Sequence, residues 1–134
     1  MALELVWEVF GQFEAPEYSQ QGVEAFRQSI QDEAYLRQLV CYGAFVEEML
    51  VGVMATRNQG THIALFFVKA AYQRQGIGRA LFDAVRENST AEKITVHASP
   101  CGVPVYKRLG FQPVADEQNS NGMRYTPMEW NRPR

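Results

Sequence analysis

The stretch Phe66–Val85, FFVKAAYQRQGIGRALFDAV, decides the fold. It opens as the end of an apolar run, HIALFFV, which reads as a strand in a sheet interior. It closes in a helix, because Ile77, Ala80, Leu81, Ala84 and Val85 fall at i, i+3, i+4, i+7 and i+8. Between the two lies Gln73-Arg74-Gln75-Gly76-Ile77-Gly78, with no Ser, Thr, Asp or Asn beside the helix start to cap it. The first turn of a helix leaves amide donors without partners, and its dipole favours an anion there. Gly76 and Gly78 remove side chains that would hold an anion away from the backbone. Arg74 and Arg79 add charge that does not titrate. Strand, glycine turn and uncapped helix together read as a phosphate site.

Charge supports an anionic ligand. From Met49 to Phe82 there is no Asp or Glu, while Arg57, Lys69, Arg74 and Arg79 fall inside that span. The whole chain carries a net charge of −2, so the basic run stands out; a solvated face explains it equally well on charge alone. A P-loop needs a Gly-Lys-Ser/Thr ending, and this chain has Gly-Arg-Ala. A dinucleotide fold needs a third glycine, an early βαβ unit and an acid roughly 20 residues on. Here the loop follows an antiparallel hairpin, and GIGRAL has two glycines.

Working outward, Leu3–Phe10 (LELVWEVF) alternates and is expected as a strand. Residues 18–39 carry two short helices, with Val23, Phe26 and Ile30 on one face and Tyr35, Leu36 and Leu39 continuing. VCYGAFVE and LVGVMATR form a hairpin, and KITVHAS is a later strand. A short helix through VYKRLG ends at Gly110. FQPV and RYTPMEW make a last strand pair around the loop ADEQNSNG, although Pro127 cannot donate to a ladder. The expected order is β-α-α-β-β-β-α-β-α-β-β, an α/β domain with a mixed sheet, one domain over 1–134.

Composition bounds the function. No apolar run approaches the roughly 18 residues of a membrane span, and the N-terminus does not read as a signal peptide. Cys41 and Cys101 make neither a disulfide framework nor a zinc motif, so a reduced, cytoplasmic setting without a metal is expected. The slight acidity argues against nucleic acid as a partner.

The same residues carry a resemblance. FFVKAAYQRQGIGRALFDAV resembles the acetyl-CoA-binding segment of the GNAT superfamily of N-acetyltransferases, in which a strand ending in Val meets a Gln/Arg-x-x-Gly-x-Gly/Ala loop that opens a helix. SPCGVPVYKRLGF, Ser99–Phe111, is similar to the family's Tyr-x-x-x-Gly-Phe signature, with Tyr106 in the tyrosine place and Gly110-Phe111 closing it. Both motifs stand in order and at the expected spacing. The resemblance implies the GNAT (acyl-CoA N-acyltransferase) fold: a mixed, mostly antiparallel, V-shaped sheet flanked by helices. The sheet would splay between the strands at 62–69 and 93–99, with acetyl-CoA as donor cosubstrate in the cleft.

The resemblance also implies site residues. Phe66, Phe67 and Val68 fall on the pantetheine arm, where a free strand edge pairs with the ligand as an added strand would. The loop from Gln73 through Arg74, Gln75, Gly76, Ile77, Gly78 and Arg79 falls at the pyrophosphate. Ser99 stands where many relatives have an Asn that contacts the cofactor, and its reach is shorter. The implied chemistry is direct attack of a primary amine, on a small molecule or peptide, on the thioester. A phenol holds its proton at neutral pH, so Tyr106 is the candidate donor to the leaving thiolate. His62 lies six residues before Val68, where several such enzymes place a Glu or His base, and imidazole suits proton removal near neutrality. His97 shares a strand face with Thr95 and Ser99 by alternation.

The acceptor site is expected from the 18–39 helices and the 113–126 loop, with Glu17, Asp32, Glu33, Asp116 and Glu117 as acids and Phe26, Tyr35 and Tyr125 as walls. A homodimer is compatible with the resemblance. Two other readings stay open, a non-catalytic acyl-CoA-binding module and a nucleotide-binding regulatory domain.

Overall fold

The computed structural model describes residues 2–133. Helices α1 (Ala2–Phe13), α2 (Gln20–Ser29) and α3 (Glu33–Arg37) come first, then strands β1 (Val40–Val46), β2 (Met49–Arg57) and β3 (His62–Val68). Helix α4 (Ile77–Glu87), β4 (Lys93–Ala98), α5 (Val103–Leu109), β5 (Gln112–Pro113), β6 (Gln118–Ser120) and β7 (Met123–Asn131) complete the chain. The seven-stranded sheet runs β1-β2-β3-β4-β7-β5, with β6 paired to β7. Only β3 and β4 pair in parallel, so the sheet is mixed and mostly antiparallel, as expected.

The beginning of the chain differs from expectation. Leu3–Phe10 is helical, not a strand. Its alternation competes with a second pattern: Leu5, Val6, Val9 and Phe10 lie at i, i+1, i+4 and i+5, and all four are buried. A strand would place Val6 and Phe10 on the face opposite Leu5 and Val9. The helix puts them together against Val53, Ala55, Leu65 and Phe67 of the sheet, and leaves Glu4 and Glu8 in solvent. One-sided burial therefore wins over alternation.

The two faces of the sheet carry separate cores. On one, α1 and α2 close over β2 and β3, with the Phe10 and Phe26 rings stacked at 4.0 Å. On the other, Leu81, Phe82 and Val85 of α4 meet Ile94, Val96, Phe111, Met128 and Trp130. Pro127 sits inside β7 opposite His97, and its carbonyl accepts from Val114 N–H at 2.9 Å. The expected weakness of that strand is met through the acceptor that proline retains.

β3 shapes the site. Ala55 pairs with Leu65 and Thr56 with Ile63, so Ala64 is an extra residue, a bulge. The bulge switches faces: Ile63, Phe66 and Val68 join the α4 core, whereas Leu65 and Phe67 join the α1 core. Pairing to β4 involves only His62↔Thr95 and Ile63↔Val96. Beyond Ala64 the two strands part, leaving the β4 side of β3 as a free edge, and the sheet opens as a V.

Candidate active site

A cleft of about 990 Å³ follows that free edge from the β2–β3 end to the first turn of α4. This is the upper end of the range usual for small-molecule sites.

At the α4 end, the sequence signals act as a unit. Gly76 is the helix N-cap with φ +84°, and no side chain caps the helix. The first bond of the helix runs from Ala80 N–H to the Gly76 carbonyl at 2.9 Å, so the amides of Ile77, Gly78 and Arg79 precede the ladder. The two glycines have different reasons. A Cβ on Gly76 would meet nothing within 4 Å, so its requirement is the left-handed backbone. A Cβ on Gly78 would stand 2.8 Å from Phe66 Cζ, so its requirement is close packing of helix on strand. Arg74 also has positive φ (62°) and extends into solvent.

The loop glutamines tie the loop together. Gln73 Nε2 donates to the Val68 carbonyl at 3.0 Å and Gln75 Nε2 to the Ala71 carbonyl at 3.0 Å. Arg79 donates to the Arg108 carbonyl at 2.6 Å, joining the first turn of α4 to the last turn of α5. Phe66 presents its ring to the cleft wall beside Tyr106 (5.6 Å between centroids), while the Phe67 ring turns into the α1 core toward Phe26. Phe67 thus offers its backbone to the cleft.

At the β3–β4 vertex, Tyr106 is buried between Phe66 and Phe111. Helix α5 holds it there: Gly102 N–H donates to Ser99 Oγ at 3.2 Å, and Phe111 N–H donates to the Tyr106 carbonyl at 2.9 Å. Burial, with a smaller contribution from the Glu14 charge, raises the Tyr106 phenol well above its ordinary value, so it stays protonated. Ser99 is buried, and its hydroxyl is engaged in that turn.

Glu14 had no distinguishing pattern in the sequence. It follows α1 directly and lines the cleft with Tyr18, Ser99 and Tyr106. Burial pushes its carboxyl up to about 7, and the neighbouring Ser99 and Tyr18 hydroxyls only partly oppose this. The Tyr18 hydroxyl donates to Glu14 Oε1 at 3.3 Å. Glu14 is the one acid along the cleft wall among the described residues.

The histidines meet here too. His62 and His97 lie edge to face at 5.1 Å, and His97 stacks on Tyr125 at 4.4 Å. The Thr95 hydroxyl donates to the Thr61 carbonyl at 3.3 Å, which leaves it to accept from His62 Nδ1–H at 2.8 Å. Burial first, then the charge of Arg57, lowers His62 to about 4, and the same two causes lower His97. Cys101 touches Ser99 Oγ at 3.5 Å, and desolvation pushes its thiol up, away from the reactive thiolate.

Other expected acceptor residues divide. Phe26 and Tyr35 line the cleft. Asp32 caps α3, Glu33 pairs with Arg37 at 3.4 Å and Glu117 with Arg124 at 3.1 Å, so these acids have structural partners elsewhere.

Residues 14–132 match the family model described as an acetyltransferase (GNAT) domain. The chain belongs to the GNAT acetyltransferase family. The match begins at Glu14, just after α1. A GCN5-related N-acetyltransferase from Rhodopseudomonas palustris superposes with a TM-score of 0.79 at 22% identity, over 96% of this chain and 86% of that one. The PaiA N-acetyltransferase from Thermoplasma acidophilum, solved in complex with coenzyme A, gives 0.72 at 17% identity, over 98% and 91%. Tetrahymena GCN5 gives 0.66 at 17% identity, over 97% and 86%. At these identities the likeness establishes the fold. No curated protein sequence matches. GNAT membership implies acyl transfer from an acyl-CoA donor to an acceptor. No helix among the described residues is long and apolar enough to cross a membrane.

Proposed function

We propose that this GNAT protein transfers an acetyl group from acetyl-CoA to a primary amine of a small molecule or peptide by direct attack. The observation that carries the reading is one continuous cleft: a free β3 edge runs from an uncapped helix start to a buried phenol and a carboxyl titrating near 7. Its residues fit coenzyme A. The amides of Ile77, Gly78 and Arg79, with Arg74 beside them, hold the pyrophosphate, and the Ala64–Phe67 edge pairs with the pantetheine amides. The Val68 carbonyl is already engaged by Gln73. The bound donor supplies an activated thioester.

The chain's own residues then act on the amine's first proton and on the departing sulfur. A lysine-like amine has pKa about 10 and must lose a proton before it attacks. Glu14 at about 7 takes that proton far more readily than His62 at about 4. We therefore assign the base role to Glu14 and give His62, fixed by Thr95, the acceptor wall. Tyr106 donates to the departing sulfur. Its raised pKa makes full proton transfer to a thiolate, ordinary thiol value about 8.5, unfavourable, so it acts as a preorganised hydrogen-bond donor; the second proton, shed by the nitrogen as the C–N bond forms and the C–S bond breaks, passes to the freed thiolate or to solvent.

The test is a panel of primary amines assayed for CoA release with acetyl-CoA as donor. Turnover with at least one amine, lowered about a hundredfold or more in Glu14→Gln and in Tyr106→Phe, is expected. Tight CoA binding with no release for any amine would make the protein a binding module instead.

A further inference from the structure

Arg57 is a cation in the cleft that cofactor binding does not use. It ends β2 and pairs in register with His62 at the start of β3. The phosphate-binding loop follows the other end of β3, six residues on, roughly 20 Å along the strand. Arg57 therefore lies beyond the vertex, on the acceptor side.

Its surroundings leave its charge unanswered. Arg57 Nε is buried with no hydrogen-bond partner, and among the described residues Arg57 is in no salt bridge. Arg57 as a whole is half-buried, and a buried N–H without a hydrogen-bond partner is costly. Its neighbours complete a site for one negative charge. Its field helps keep His62 and His97 neutral, and it opposes the burial that raises the Tyr35 phenol. Three side chains, His62 of β3, His97 of β4 and Tyr35 of α3, thus line the cleft around one permanent positive charge with neutral hydrogen-bonding groups. The acid of the cleft, Glu14, belongs to the Tyr106 and Ser99 cluster.

We infer that Arg57 is the anion subsite of the acceptor, and that the acceptor is an amine bearing a carboxylate, such as an amino acid. The inference rests on the acyl-transfer reading for which end of the cleft receives the acceptor. One guanidinium flanked by two neutral histidines matches a single negative charge, and its fork donates two hydrogen bonds to a carboxylate. Glu14 then faces the amine while Arg57 holds the acid group, which orients the nucleophile.

The experiment is calorimetric titration of the CoA-loaded protein with a panel of N-acetyl amino acids and the corresponding amides. These are product analogues, and no turnover is needed. The free acid is expected to bind about ten- to a hundredfold more tightly than its amide for the best member. Arg57→Gln should erase that preference, and Arg57→Lys should restore part of it; circular dichroism confirms that each variant is folded. Equal affinity for acid and amide in the unaltered protein, no binding of any acid at millimolar concentration, or a preference that survives Arg57→Gln would each overturn the assignment. Failure of acetyl transfer is read separately: no CoA release from any amine, with the acid preference intact, removes the enzymatic reading and leaves the anion subsite.

Discussion

The two ends of the cleft are built in opposite ways. The end we assign to the cofactor is contiguous: Phe66 to Arg79 supplies the strand edge, the left-handed glycine, the free amides and the arginines. The end we assign to the acceptor is gathered from Glu14 and Tyr18 after α1, Arg57 of β2, His62 of β3, His97 of β4 and Tyr106 of α5. The first is mostly backbone, so its chemistry follows from local conformation. The second is side chains whose protonation states exist only because distant elements bury them together.

The largest effect tests which residue is the base. Glu14→Gln should lower kcat by about 10²- to 10⁴-fold. In the unaltered protein, kcat/KM should rise with pH through about 7 as Glu14 loses its proton, since the base acts in its charged form. That limb should vanish in Glu14→Gln and persist in His62→Ala. Its loss in His62→Ala alone would return the base role to the histidine.

Next in size is Tyr106→Phe. Removing one preorganised donor should cost about 10²- to 10³-fold in kcat with little change in CoA affinity. Equal losses in affinity and turnover would show that the ring, packed against Phe66 and Phe111, acts as wall rather than donor.

At the cofactor end the effects are smaller and fall on binding. Gly76→Ala places a Cβ in open space but in left-handed backbone, φ +84°, at a cost of about 1–2 kcal/mol. Titration should show CoA binding weakened by about tenfold, with a smaller effect on kcat for saturating donor. An unchanged CoA affinity would separate the loop conformation from the phosphate site.

The smallest effect is on stability, and it links the acceptor end to its own cost. Glu14 has a folded-state value of about 7 against 4.5. The folded state therefore binds the proton more tightly, and stability falls as pH rises from about 4.5 to about 7. Glu14→Gln removes the burden of a buried charge. Thermal denaturation should show the variant more stable by about 1–2 kcal/mol at pH 8, after screening by solvent, and little changed near pH 4. A variant less stable at pH 8 would mean that the Tyr18 bond outweighs desolvation.

Legibility followed the same divide. The α4 motif and the hairpin before it were readable because their periodicities and turn residues act within a few positions. Tyr106 was readable through its Gly110-Phe111 partner, which the αL cap at Gly110 explains. Leu3–Phe10 misled because two apolar patterns overlap there, and only the neighbouring sheet shows which face is buried. Glu14 lay in a polar stretch, EAPEY, with nothing local to mark it. Arg57 was visible as a cation in an acid-free run, but its lack of a partner was not.

The sequence by itself determined the order of elements from α2 to β5, the uncapped start of α4 and the tyrosine signature, because backbone conformation and first-turn amides depend on near neighbours; the loop expected over ADEQNSNG instead holds a third late strand, β6, whose ladder to β7 is a tertiary pairing. The tertiary structure decided that the first segment is a helix, that a bulge at Ala64 parts β3 from β4, and that Glu14 titrates near 7 while His62 titrates near 4. Burial and Coulomb interaction act through space, between residues as far apart in the chain as 14 and 106, and no local pattern carries them.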